Sequence, residues 1–222
     1  MKLSDYVAQK AVENGVKHVF MVTGGGAMHL NHSFGSHKDL ECIFNHHEQA
    51  CAIGAEAYYR QSNRLPIVNV TSGPGGTNTI TGVYGAWVDS IAMLVISGQV
   101  KWETTVRSTG LSLRQYGDQE LDIEELVRPV TKYCAMVTDP LSIRYHLEKA
   151  MYLATSGRPG PVWLDIPLNV QASQIEPDQL TGFDPVELNE PWKDTDLNKA
   201  SSEILEKITQ AKRPVVLAGG GV

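Results

Sequence analysis

Cysteine, basic residues and long apolar runs are all scarce in this chain. Three of its 222 residues are cysteines and none forms a C-x-x-C pair, which argues against a disulfide framework and suits a reducing compartment; we therefore expect a cytoplasmic protein. No stretch reaches the roughly 20 apolar residues of a membrane span, and the N-terminus lacks the apolar core of a signal peptide, so no membrane partner is expected. Lysine and arginine number 19 against 25 aspartates and glutamates, which argues against a general nucleic-acid binder.

The composition is that of a folded globular protein. Hydrophobic residues make up 42% and charged residues 20% of the chain, so the apolar content is too high for a disordered protein. At roughly 150 residues per domain, this length predicts one or two domains.

Short apolar runs alternate with segments of helical pattern along the first 170 residues. We predict strands over residues 18–22, 40–44, 65–71, 91–97, 130–137 and 161–166. The long polar segment 98–119 is predicted to be irregular. Helical connections between strands are typical of parallel pairing, so the sequence predicts an α/β fold with a mostly parallel sheet and helices on both faces.

The character of the chain changes after residue 170. We interpret residues 1–170 as one domain and residues 171–194, which are polar, acidic and contain three prolines, as a linker. Residues 195–222 are interpreted as the start of a second α/β domain, with a helix over 196–210 and a strand over 215–218. Because one helix and one strand cannot bury a core, we expect the chain to end inside this second domain.

Three polar or glycine-rich segments follow predicted strands, at residues 23–26, 45–48 and 72–78. In open parallel sheets, ligands bind beyond the carboxyl ends of the strands. The three segments should therefore lie close together, and we expect a ligand site where they meet.

Glu48 is the sharpest single candidate for chemistry. It follows Asn45-His46-His47 at a strand-to-helix turn and precedes small or apolar residues over 50–55. A carboxyl group in such surroundings is poorly solvated, so it could donate or share a proton with a heteroaromatic nitrogen. The alternative is an acid that only complements the positive end of the helix dipole.

The segment Ser72 to Asn78 is rich in glycine and would let the main chain approach a ligand closely. It matches neither the phosphate-binding P-loop nor the dinucleotide motif G-x-G-x-x-G. A tight strand-to-helix turn without a ligand is the alternative interpretation.

Other reactive side chains give weaker signals. His46, His47 and Glu48 are adjacent and do not face one another on a helix, so we expect no metal site made by the protein alone. Arg107 and Arg114 are candidates for contact with a substrate carboxylate or phosphate, or they are solvated loop charges.

An ordered set of short motifs spans the chain from near residue 1 to about residue 170. They are His47-Glu48-Gln49-Ala50, Thr71 to Asn78, Thr81-Gly82, Asp89-Ser90, Ile96 to Val100, Pro129 to Lys132, Gly157 to Val162, and Asp165-Ile166-Pro167. Each motif is modest, but the set resembles the N-terminal, pyrimidine-binding domain of thiamine-diphosphate-dependent enzymes, in the acetolactate synthase and pyruvate oxidase group.

This resemblance implies roles for individual residues. Glu48 matches the glutamate that hydrogen-bonds the pyrimidine ring of the cofactor and promotes loss of the thiazolium proton, and Gln119 matches a glutamine that points toward the reaction centre. The remaining implied contacts of the pyrimidine pocket are Gly25, Ser72, Pro74 and Asn78. The cofactor would supply the reactive group, and the protein would supply the orientation and the electrostatic environment.

The resemblance also implies what the chain needs from elsewhere. In this family a C-terminal domain with a Gly-Asp-Gly motif holds the diphosphate and its magnesium ion, Mg2+, and no such motif occurs here. Active sites form between subunits, so a homodimer or homotetramer is implied, and we expect this chain alone to bind cofactor poorly and to be inactive. Thr23 and Asp118 depart from the acetolactate synthase pattern, which leaves the identity of the substrate open.

Three functions remain as hypotheses. The first is part of a carboligase or decarboxylase that acts on a 2-keto acid. The second is a binding or dimerisation module without catalysis, assembled through the helices after Glu48 and Thr77. The third is an unrelated nucleotide-binding domain, which the missing phosphate-loop motif disfavours.

Overall fold

The computed structural model describes residues 1–188 and 196–219. Among these, the residues up to Phe183 form one compact unit and those from Asp184 onward form another. The larger unit contains the sheet and every candidate site residue, and the smaller unit contains one long helix.

A single parallel sheet lies at the centre of the larger unit. Its six strands follow the order β2-β1-β3-β4-β6-β5, and every neighbouring pair is parallel. The strands are β1 (His18–Met21), β2 (Glu41–Phe44), β3 (Ile67–Val70), β4 (Met93–Gln99), β5 (Tyr133–Met136) and β6 (Pro161–Pro167). The prediction of an α/β fold with a parallel sheet is confirmed.

Eight helices accompany the sheet in the larger unit. They are α1 (Leu3–Glu13), α2 (Met28–Ser36), α3 (Glu48–Ser62), α4 (Pro74–Val88), α5 (Val106–Thr109), α6 (Ile123–Val127), α7 (Ile143–Thr155) and α8 (Leu168–Ala172). Helices α1, α2, α7 and α8 pack on one face of the sheet, and α3, α4 and α6 pack on the other.

The two faces arise from the alternation of side chains along each strand. In β4, Leu94 and Ile96 point into the first core, while Met93 and Val95 point into the second. Because both faces are covered, the strands β3, β4 and β6 are buried at every position rather than at alternate ones, as expected for a parallel sheet.

Helix α4 begins inside the glycine-rich segment Ser72 to Asn78. Gly73 has a φ of 57°, a left-handed value that favours glycine, and Pro74 then occupies the first position of the helix. The glycine-rich segment is therefore a two-residue turn, Ser72-Gly73, followed by the start of a helix, and its polar residues Thr77 and Asn78 are held on a regular element.

Strand ends differ from the predicted ones by at most three residues, and one predicted strand is absent. Residues 214–219 have no regular secondary structure, so the prediction of a strand over 215–218 is wrong. A strand needs a hydrogen-bonded neighbour, and the described residues of the smaller unit contain the helix α9 (Leu197–Gln210) and a short 3-10 helix (Pro185–Glu187) but no strand. The predicted helix over 196–210 is present and is capped by the side chain of Asp196.

Part of the segment predicted as a linker, residues 171–183, belongs to the larger unit. Gln171, Ile175 and Leu180 are buried there, although Pro191 lies outside the described residues. The division into residues 1–170, 171–194 and 195–222 stays a prediction. Of the helices in the described ranges, none has the length and apolar character needed to cross a bilayer.

Candidate active site

Glu48 opens helix α3 at the carboxyl edge of the sheet. The preceding residue, His47, caps the helix by accepting a hydrogen bond from the Gln49 main-chain nitrogen over 3.1 Å. The Glu48 side chain is partly buried, and its Oε2 accepts a hydrogen bond from Asn78 Nδ2 at 3.0 Å. Within residues 1–188 and 196–219, its Oε1 has no hydrogen-bond partner. One oxygen of the carboxyl group is thus fixed and the other is available to a ligand.

Helices α3 and α4 bring Glu48 and Asn78 together because they lie side by side and run in the same direction. Small residues allow the close approach: a Cβ atom added to Gly82 would lie 2.5 Å from Ala52 Cβ. Contacts recur at matched positions along the pair, namely Glu48 with Asn78, Ala52 with Gly82, and Arg60 with Asp89. This in-register packing sets the distance between the carboxyl group and the amide.

The segment Gly24–Gly26 is fixed by side chains from three other elements. Gly26 donates its N–H to Thr71 Oγ1 at 3.0 Å, and its carbonyl accepts from Gln171 Nε2 at 2.7 Å. The Gly24 carbonyl accepts from Asn31 Nδ2 at 3.2 Å. Gly25 differs, because no described heavy atom outside its neighbours comes within 4 Å of a Cβ added there. The segment is rigid at its ends and open at its centre.

A pocket of about 470 Å³ lies beside these glycines. It is lined by Gly24, Gly25, Gly26, Met28, Thr71, Ser72, Val100, Lys101, Asp118, Gln119 and Leu168. Three of the predicted site residues, Gly25, Ser72 and Gln119, therefore line one pocket. Their convergence follows from the position of the segments at the carboxyl ends of neighbouring strands.

The other three predicted residues, Glu48, Pro74 and Asn78, do not line this pocket. They lie next to it, and Thr71 is between the two groups. A Cβ atom added to Gly75 would lie 2.8 Å from Thr71 Cγ2 and 3.7 Å from Glu48 Oε1. The predicted residues thus form two adjacent clusters rather than one, joined through Thr71.

Gln119 is exposed and has a φ of 54°, in the left-handed region. Its main-chain oxygen packs on Gly73, where an added Cβ atom would lie only 2.4 Å away. The glycine at position 73 is therefore required twice, by its own φ and by the approach of Gln119. This contact ties the end of segment 100–121, which contains the short helix α5 and is otherwise largely irregular, to the start of α4.

A buried polar network lies in the sheet behind the pocket. Asp165 Oδ1 accepts from Ser97 Oγ at 2.5 Å, and its Oδ2 accepts from Gln99 Nε2 at 3.0 Å. Ser97 Oγ in turn accepts from Trp163 Nε1 at 2.8 Å. Burial outweighs these hydrogen bonds and raises the pKa of Asp165 to about 7.

Several supporting residues were missed by the sequence reasoning. Thr71 and Asp165 appear in the quoted motifs without a role, whereas Asn31 and Gln171 lie outside every quoted motif. A signal existed for Asp165, since a lone acid inside the apolar strand Pro161–Pro167 must find buried partners. Gln171 is 145 residues from the glycine that it contacts, and no local pattern indicates that contact.

The other reactive side chains have ordinary surroundings. No cluster of three or more His, Cys, Asp or Glu that could hold a metal ion occurs in the part of the chain that the structure describes. Arg107 is paired with the buried Glu124 at 2.8 Å, and Arg114 lines a separate pocket of about 340 Å³. Neither arginine lines the pocket beside Gly25.

Comparison with known proteins gives consistent matches. Residues 1–126 match the family model for the thiamine pyrophosphate enzyme, N-terminal TPP binding domain. Acetolactate synthase large subunit of Lactococcus lactis is 33% identical over 219 residues, which cover 99% of this chain and 36% of that protein. Chloroplastic acetolactate synthase of Arabidopsis thaliana is 33% identical over 225 residues, covering 99% and 32%. A probable acetolactate synthase large subunit of Methanocaldococcus jannaschii is 32% identical over 230 residues, covering 100% and 36%. The chain spans about a third of the length of these relatives.

Proposed function

The chain belongs to the thiamine pyrophosphate enzymes, as the N-terminal TPP-binding domain of acetolactate synthase-like members, and from this premise we propose that Glu48 is its activating acid. The observation that carries the proposal is the carboxyl group of Glu48, with Oε2 held by Asn78 at 3.0 Å and Oε1 open to a ligand. A carboxyl group held in this way can keep a proton at a ring nitrogen of an aminopyrimidine.

The residues present fit the pyrimidine half of thiamine diphosphate. Gly25 leaves space for a flat ring, because an added Cβ atom there would meet no described atom within 4 Å. Ser72, Pro74 and Asn78 stand on the turn and first helical turn that face the same edge, and Gln119 lines the adjoining pocket. When bound, the cofactor supplies a nucleophilic carbon and accepts the electron pair released from the substrate carbonyl compound.

The diphosphate and Mg2+ need ligands of a different kind from those that suit the pyrimidine ring. Anionic oxygens would need cationic or N–H donors, and the ion would need carboxylate or carbonyl ligands. We propose that these groups are held outside residues 1–222, and the length of the relatives, of which this chain covers about a third, supports this. The role of this chain is then confined to the pyrimidine end of the cofactor.

We propose a 2-keto acid as the substrate, with carboligation or decarboxylation as the reaction. The names of the relatives, acetolactate synthases, support this class. Gln119 lines the pocket, where its amide could donate to the oxygen of a reacting carbonyl group. A cytoplasmic location is part of the proposal, supported by the three free cysteines Cys42, Cys51 and Cys134.

A titration with thiamine diphosphate and Mg2+ tests the proposed pocket. In the protein as it occurs in the cell, Gly25→Val should weaken the binding of thiamine diphosphate by at least about tenfold, because the valine side chain would fill the space that the pyrimidine ring occupies. Gly35→Val is the matched control, since Gly35 is equally open and has no left-handed φ. Isothermal titration calorimetry measures both. Equal affinities of the two variants would contradict the assignment of Gly25.

Self-assembly is a second candidate function for the same unit, as a homodimer or homotetramer. The observation in its favour is an apolar surface on α3 and α4. Its large side chains are Ile53, Tyr84, Trp87 and Val88, which are between 37% and 57% exposed. Clustered exposed apolar side chains of this kind are typical of protein–protein contacts.

Replacing Ile53 by Asp should disrupt this assembly. A charge placed in an apolar contact must be desolvated without a partner, so we expect the dissociation constant to rise about 100-fold. Leu141→Asp is the matched control, because Leu141 is 58% exposed and lies outside this surface. Sedimentation velocity over a concentration series measures the effect. Identical sedimentation of both variants and the unaltered protein would argue against this surface.

A further inference from the structure

Gln119 is held in an unfavourable main-chain conformation at the pocket. Residues with a side chain rarely adopt a left-handed φ, and such strain persists only where the surroundings impose it. The Gln119 side chain is exposed, so it is not fixed by core packing. The constraint therefore comes from the main chain, through the packing of the Gln119 oxygen on Gly73 and through the residues on either side of Gln119.

The next residue, Glu120, holds together the two ends of segment 106–117. Its Oε2 accepts hydrogen bonds from the main-chain nitrogens of Tyr116 at 3.1 Å and Gly117 at 3.0 Å. Its Oε1 accepts from the main-chain nitrogen of Val106. One carboxylate thus satisfies three amides that are up to 14 residues away in sequence, and charge-assisted bonds of this kind are strong.

Leu121 is fixed to the sheet by a second side chain. Gln99, the last residue of β4, is almost fully buried and donates from Nε2 to the Leu121 carbonyl at 2.8 Å and to Asp165 at 3.0 Å. Its Oε1 accepts from the Val100 main-chain nitrogen at 3.0 Å. Every hydrogen-bonding group of this amide is used, so its orientation is fixed.

We propose that Glu120 and Gln99 are positioning residues, which hold Gln119 at the pocket by fixing the two residues that follow it. The inference rests on the proposed function of Gln119 and adds the groups through which its position is set. Glu120 anchors the segment 106–117, and Gln99 anchors Leu121 to the buried network of the sheet.

Glu120→Gln is the sharpest test, because the amide has one acceptor oxygen and turns an NH2 group toward main-chain N–H donors. The segment it holds contains Arg107 and Arg114, which are sites for trypsin. We expect trypsin to cleave there at least about tenfold faster in Glu120→Gln, because released loops open more readily. Glu125→Gln is the matched control, since the Glu125 side chain is 66% exposed and lies outside the segment. Equal cleavage rates in the two variants overturn the anchoring role.

A double-mutant cycle tests whether Glu120 acts through Gln119. In the protein as it occurs in the cell, with pyruvate as the 2-keto acid, Glu120→Gln should lower kcat by about 10- to 100-fold, since small misplacements have effects of this size. In a Gln119→Ala background, Glu120→Gln should lower kcat by less than about threefold, because the glutamine side chain that it would misplace is already absent. Glu120→Asp keeps the charge but is one methylene shorter, and it provides the same comparison if Glu120→Gln does not fold.

The cycle separates the two levels of the proposal. If Glu120→Gln lowers kcat by the same factor with Gln119 present and with Gln119→Ala, the positioning role of Glu120 is overturned. The proposed role of Gln119 is then unaffected. Full activity of Gln119→Ala overturns the proposed role of Gln119 itself. Glu120 and Gln99 would then hold the segment without any effect on catalysis.

Discussion

Glu48→Gln is expected to slow hydrogen–deuterium exchange at the thiazolium carbon of bound thiamine diphosphate by about 10²- to 10⁴-fold. The physical reason is that an amide cannot share a proton with a ring nitrogen, whereas the carboxyl group can. The Asn78 hydrogen bond to Oε2, at 3.0 Å, leaves Oε1 to make this contact. Quenched-flow exchange followed by NMR measures the rate in the protein loaded with cofactor and Mg2+.

The control for this experiment lies two turns further along the same helix. Glu56→Gln makes the same chemical change at a glutamate that pairs with Arg60 and lies away from the pocket. Its exchange rate should match that of the unaltered protein. Cofactor affinity is measured in parallel, so that slow exchange is not confused with an empty site. An exchange rate in Glu48→Gln equal to that of Glu56→Gln would remove Glu48 from cofactor activation.

The second large effect is on stability, and it depends on pH. Burial raises the pKa of Asp165 to about 7 from an ordinary value of 3.8, so the folded chain keeps a proton that the unfolded chain has lost between these values. Proton uptake on folding makes the free energy of unfolding fall as pH rises through this range. Between pH 5 and pH 8 this group alone should lower it by about 3 kcal/mol. Urea unfolding at a series of pH values measures the slope.

Asp165→Asn should flatten this pH dependence. The asparagine cannot ionise, and its NH2 group can face Ser97 Oγ while its oxygen accepts from Gln99, as the protonated acid would. Asp178→Asn, at an exposed position, should keep the unaltered slope. The same slope in Asp165→Asn as in Asp178→Asn would show that Asp165 is not the group responsible.

The sequence was sufficient to predict the sheet and the meeting of the site segments. Apolar runs separated by helical patterns predict parallel strands, and parallel strands bring the ends of β1, β2 and β3 to one edge. Glu48, Gly25 and Ser72 lie at that edge because each follows the end of a strand within four residues. The hydrophobic periodicity and the order of the segments along the chain are sufficient for this prediction, and both can be read directly from the sequence.

The supports of the site could not be predicted, because they join distant parts of the chain. The Gln171 amide reaches Gly26, and the Gln99 amide reaches Leu121 and Asp165. Such contacts depend on which residues the fold brings together, and no periodic pattern in the sequence indicates them. The wrong strand over 215–218 has the related cause that a local apolar pattern does not supply a hydrogen-bonding neighbour.

The matched packing of α3 and α4 determines where this unit can vary in length. One residue inserted between Glu48 and Ala52 would rotate the carboxyl group by about 100° around the helix axis, away from Asn78, while the rest of the pair kept its contacts. The same insertion next to Asn63, where α3 ends in a left-handed residue, would be taken up by the connection. Length changes in this region should therefore accumulate between the helices, and the stretch that carries the acid should change only by substitution.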